Sequence, residues 1–184
     1  MVGEKIKMSR LYMRLHECGQ QVDWKTLVYG NNARPRANFI MWLACHGRLA
    51  TKDRLLKYGM IDNNTCCFCT KEETLNHLFF ECESLKSVWK EILRWTQINH
   101  IPGGWHSEVK WLSQQTKGKG ARAAVLKMSV SETVYEIWKA RNNKIFGETI
   151  EINTLGTKII DTLVYRGWNN KKLRKYIAIL MIEG

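Results

Sequence analysis

No apolar run in this sequence approaches the roughly 20 residues that a bilayer-crossing helix needs. The stretch from Ile177 to Ile182 is six residues long. That sets aside a transmembrane span, and the opening residues, Met1-Val2-Gly3-Glu4-Lys5, carry no secretory pattern. Runs of alternating apolar and polar residues are missing too, which argues against a sheet. There is no internal repeat and no low-complexity tract, so a solenoid is also set aside. Proline is scarce. Pro35 suits the first turn of a helix, and Pro102, within Ile101-Pro102-Gly103-Gly104, breaks the chain.

What is present points to a packed, basic, helical protein. Apolar residues make up 45% of the 184, enough for a core, and eight Trp suggest helices anchored by aromatic rings. The formal net charge is +12 and the pI is near 9.5, a balance that favours an anionic partner, most often nucleic acid. The charge is uneven: residues 1–65 carry +6, residues 66–100 carry −1 and residues 101–184 carry +7. Any electrostatic grip therefore belongs to the basic flanks and not to the middle.

That middle segment holds the most specific pattern. Cys66, Cys69, His77 and Cys82 follow the spacing C-x2-C-x7-H-x4-C. Three thiolates and one imidazole can fill all four positions around a tetrahedral Zn2+, leaving none open for water or substrate, as a structural zinc requires. Cys67 competes with Cys66 for the first position. Using it leaves a one-residue gap before Cys69, whereas two intervening residues suit a knuckle turn. Cys67 is therefore read as a bystander. Of the six cysteines, Cys18 and Cys45 remain as core thiols, and a reducing compartment follows. Within the cell, the nucleus is expected over the cytoplasm. Cys45-His46 is not a second metal site, because adjacent side chains on a helix point about 100° apart.

Helical periodicity organises the rest. Residues 1–22 form a helix in part, with Ile6, Leu11, Tyr12 and Leu15. Gly30-Asn31-Asn32 turns. Phe39, Trp42, Leu43 and His46 predict a helix over 35–46 with those residues on its packed face and Gly47 as its cap. Thr51 caps a short helix whose Leu55 and Leu56 face inward and which ends at Gly59. Leu85, Val88, Trp89, Ile92, Leu93 and Thr96 form one apolar stripe, expected to pack on the 35–46 helix. Ser107 caps a helix with Val109, Trp111 and Leu112. Thr116-Lys117-Gly118-Lys119-Gly120 is a basic, flexible linker. A long buried helix runs over 121–143. Another spans Ile152 to Gly167, and Leu173, Tyr176, Ile177, Leu180 and Met181 mark the last. The expected fold is all-α: a helical domain built around one CCHC zinc knuckle, with a C-terminal helical lobe. The divisions are residues 1–100 (core 24–98, knuckle 66–82), a linker with a short helix at 101–120, and a basic helical region at 121–184.

The chain resembles the zinc-binding domain near the C-terminus of reverse transcriptases from plant LINE-type (non-LTR) retroelements. Trp24, Pro35, Phe39-Ile40-Met41-Trp42-Leu43-Ala44 and Arg48-Leu49-Ala50-Thr51-Lys52-Asp53-Arg54-Leu55 carry the likeness. So do the four Cys/His, Glu73-Thr74, His77-Leu78-Phe79-Phe80 and Trp89. A second, weaker match is Ile137-Trp138-Lys139-Ala140-Arg141-Asn142. Cys67 departs from the family, which commonly has proline there. The resemblance implies Cys66, Cys69, His77 and Cys82 as ligands of one structural Zn2+, and a parent role in handling nucleic acid. No Asp-Asp pair is present to hold two catalytic metal ions. The expectation is a non-catalytic, nucleic-acid-binding zinc module, not an enzyme. RNA or DNA would be gripped by Lys117, Lys119 and Arg122 and by Lys171, Lys172, Arg174 and Lys175. The alternative is a structural module in which zinc only staples the fold and the helical surface docks a protein or a second copy.

Overall fold

The computed structural model describes residues 22–183, which are helical with no strand among them. The helix expected within residues 1–22 and the thiol of Cys18 lie outside the described residues. Among the described residues eight α-helices follow in order: α1 Lys25–Val28, α2 Pro35–Cys45, α3 Lys52–Lys57, α4 Lys86–Trp95, α5 Trp105–Gln115, α6 Ala121–Ile145, α7 Leu155–Trp168 and α8 Arg174–Glu183. A π-helical turn, His77–Glu81, precedes α4, and a 3-10 turn, Ile152–Thr154, leads into α7.

Helix α6 is the axis of the fold. Its 25 residues reach about 37 Å, and most of its faces are buried. Helices α1, α2, α4, α5 and α7 and the π-turn all pack on it. A single apolar core results, running from Leu27 and Met41 through Phe79, Trp89 and Leu112 to Met128, Ile137, Ile159 and Ile177. The helices before and after Gly120 contribute to it together.

The helix boundaries follow the sequence closely, but several packed faces differ. Gly47 and Gly59 end α2 and α3 with φ of 59° and 66°, a left-handed conformation that side chains disfavour. Helix α2 instead buries Ala37, Met41 and Ala44, while Phe39 is 58% exposed and His46 is exposed. The reason is distance. Alanines let α2 approach α6 closely, and the bulky ring face turns outward. In α3, Leu55 is only half-buried and Leu56 is exposed. The Thr51 side chain makes no cap hydrogen bond there.

Helix α4 buries the whole expected stripe, yet it packs on α7, α6 and the π-turn in place of α2. Helix α5 begins at Trp105, two residues earlier than Ser107, because the Asn76 side chain accepts the Trp105 N–H. Its buried Glu108 takes hydrogen bonds from Trp89 Nε1 at 2.8 Å, His100 Nε2 at 2.9 Å and the Gly103 N–H at 3.1 Å. Trp89 ties α4 to α5, the other two donors hold the intervening loop, and together they satisfy a carboxylate that burial would otherwise penalise.

Candidate metal centre

The loop before the π-turn is shaped by its backbone. Cys66 N–H bonds Lys71 O at 2.8 Å, Glu73 N–H bonds Asn64 O at 2.8 Å, and Thr65 bridges Glu72. Inside this loop the Phe68 N–H points at Cys66 Sγ, 3.5 Å away, which turns the first two cysteines toward one point. The π-turn supplies the other side. Thr74 Oγ1 accepts the His77 N–H at 3.0 Å, and Cys82 N–H closes back on His77 O at 2.7 Å. One five-residue turn thus delivers both His77 and Cys82.

The ligating atoms of Cys66, Cys69, His77 and Cys82 all lie within 4.8 Å of one another. Sulfur separations are 4.0 Å for Cys66–Cys82 and 3.8 Å for Cys82–Cys69. Tetrahedral zinc with bonds of 2.3 Å sets its sulfurs about 3.8 Å apart, so the sulfurs already sit at the spacing such an ion needs. Cys69 Sγ and His77 Nε2 are 3.1 Å apart and would open by about 0.4 Å around the ion. Cys67 lies outside the group. Cys66, His77 and Cys82 are buried, and only Cys69 is partly open to solvent. Hydrogen bonds with the Cys67 and Cys82 thiols favour the Cys66 thiolate and lower its pKa, and raise theirs. A cation held by these four residues would favour the deprotonated thiols. The rings of Phe79, Phe80 and Trp105 pack together beside the turn, with centroids 5.4 and 5.7 Å apart.

Glu73 is the residue that sequence reasoning undervalued. It is fully buried, and its Oε1 accepts the Lys52 N–H at 2.9 Å, capping α3 in place of Thr51. Its backbone oxygen accepts the Asp53 N–H at 3.1 Å. Arg141 of α6 forks onto the same carboxylate, with Nη2 2.6 Å and Nε 3.1 Å from Oε1. The knuckle is thereby bolted to the central helix by a buried ion pair. Glu73-Thr74 and the Arg141 phrase stood in the sequence as two unconnected matches. Beside the cysteines, the Phe68 ring has the Lys144 ammonium 5.8 Å from its centroid.

A second feature gathers charge. Lys117 and Lys119 of the loop before α6 and Lys171 and Lys172 before α8 line one groove of about 820 Å3. Lys127 of α6 joins them, along with Asn32 and Asn170, and no acidic side chain lines the groove. The Asn170 amide donates to Asn32 Oδ1 at 3.4 Å, linking two of its walls. Arg122, Arg174 and Lys175 do not line it. Arg174 Nε instead donates to the Trp168 carbonyl at 3.0 Å, at the end of α7.

The family described as zinc-binding in reverse transcriptase matches residues 7–89, a little under half the chain. No curated protein and no solved structure matches this chain. The matched span contains all four Cys/His of the cluster and stops short of the groove lysines. The description of that family names zinc binding.

Proposed function

We propose that this chain is a non-catalytic, zinc-stapled module that binds nucleic acid, descended from the C-terminal part of a plant LINE-type reverse transcriptase. Cys66, Cys69, His77 and Cys82 hold one structural Zn2+, which fixes the knuckle and leaves no open coordination position for chemistry. A reducing compartment, the nucleus in this reading, suits its free thiols. The observation that carries the binding role is the groove lined by Lys117, Lys119, Lys127, Lys171 and Lys172 with no carboxylate among them. Lysines drawn from three separate segments repel one another unless an anion sits between them, and a phosphate backbone offers a row of anions.

The test is fluorescence anisotropy of the zinc-loaded protein with labelled single-stranded RNA and duplex DNA across a salt series. Five lysine–phosphate contacts predict a log–log salt slope of about −3.5 on a single strand, or about a hundredfold loss between 50 and 200 mM. Changing Lys171 and Lys172 to Gln should reduce that slope by about 1.4 without lowering the melting temperature. An affinity indifferent to these lysines sinks the reading.

The outer face of α8 favours a second one. Ile179, Met181 and Ile182 are exposed there, an apolar face that a protein partner or a second copy could cover. Self-association that persists at high salt, measured by sedimentation equilibrium, would support the structural role.

A further inference from the structure

Helix α2 turns its most costly side chains toward water. Phe39 is 58% exposed, and its ring lies nearly parallel to that of Trp42, with centroids 6.2 Å apart and planes 14° from each other. The row continues from Trp42 to His46 at 4.2 Å and from His46 to Trp24 at 4.6 Å. The Arg48 guanidinium lies 5.7 Å from the Trp42 ring centroid. His46 Nδ1 lies 2.9 Å from the Trp42 carbonyl oxygen, which orders the imidazole within the row. Four rings and one cation therefore form a continuous strip, with Phe39 at its open end. Its Trp24 end packs against the core, but Phe39 and Trp42 do not, because α2 buries Ala37, Met41 and Ala44 on another face.

Along the chain the charge of this segment is mostly of one sign, with the exposed Asp23 beside Trp24 as the exception. From Lys25 to Lys52 the sequence contains no Asp or Glu, while Lys25, Arg36 and Arg48 are exposed. An apolar ring face set among cations suits a ligand that is flat, aromatic and anionic along its edge. Every base of a nucleic acid has such a face and is tied to a phosphate.

We propose that Phe39 and Trp42 form a base-stacking platform that makes this protein prefer single-stranded nucleic acid. This rests on the nucleic-acid reading above and adds its substrate class. In a duplex the base faces are already stacked on each other, so a ring row has nothing to take. An unpaired strand can lay a base on Phe39 while its phosphates meet the exposed cations nearby.

The experiment uses the full chain loaded with zinc and two labelled strands of about twelve nucleotides, a length within single-strand site sizes. One strand is oligouridine, and the other is an abasic phosphodiester strand of equal length. The base-bearing strand should bind about tenfold tighter than the abasic one. Phe39→Leu, which keeps the bulk and the helix but removes the ring, should bring the ratio to within about twofold. Phe39→Tyr should retain it, and Lys171→Gln with Lys172→Gln should weaken both strands alike. Equal binding of the two strands by the unchanged protein overturns the platform, as does a ratio that Phe39→Leu leaves intact. Either result leaves the lysine groove standing if abasic binding still depends on Lys171 and Lys172. Failure of both strands to bind overturns the platform and the nucleic-acid reading together.

Discussion

Cys82 and Cys67 are both thiols beside the same knuckle, yet they should behave differently. Cys82→Ser removes a member of the buried cluster and should abolish the sulfur-to-metal charge-transfer absorption of the cobalt-substituted protein. Cys67→Ser should leave that spectrum unchanged, since its sulfur stands outside the cluster. Glu73 and Arg141 make a second contrast. Arg141→Met alone leaves a buried carboxylate without its counter-charge and should cost about 3–5 kcal/mol in urea denaturation. Glu73→Gln combined with Arg141→Met should cost less than Arg141→Met alone, because the amide oxygen still caps Lys52 while no charge is stranded. Burial pushes the Cys45 thiol up to about 12. It stays protonated at pH 8, so iodoacetamide should leave it unmodified in the native protein, as peptide mass mapping would reveal.

Helices α7 and α8 meet where Gly167 lacks a side chain. A Cβ there would overlap the buried side chain of Ile177, so Gly167→Ala should destabilise the protein by about 1–3 kcal/mol, measured by thermal melting. The elements themselves were largely legible. Helix α4 has a single apolar stripe, and all six stripe residues are buried. Helix α2 was legible in extent but not in orientation. Phe39, Trp42 and Leu43 carry far more apolar area than Ala37 and Ala44, while close approach to α6 rewards the small residues. The metal cluster could be read because its ligands recur within 17 residues and coordination geometry fixes the spacing. The groove was legible only as two lysine clusters, since their convergence depends on how α6 and α8 pack. The Glu73–Arg141 pair was illegible, because nothing in one sequence links two residues 68 positions apart.

For the molecule as a whole, metal and helix packing should be lost together. Stripping zinc with a chelator should raise amide exchange in the knuckle, in α3 and in the stretch of α6 around Arg141. The amides of α7, which packs on α6 and α4 and has no part in the ion pair, should stay slower, as hydrogen-exchange mass spectrometry would resolve. The same ion pair also sets an order on synthesis. The knuckle is complete once Cys82 leaves the ribosome and can close on a metal locally, but the carboxylate at its base has no cationic partner until Arg141 follows. Until then Glu73 must remain hydrated, and the nascent chain holds a closed metal loop that cannot yet seat. A ribosome-bound chain arrested before Arg141 clears the exit tunnel should therefore take up metal yet remain sensitive to protease around α3. Release of another stretch of α6 should abolish that sensitivity in a single step.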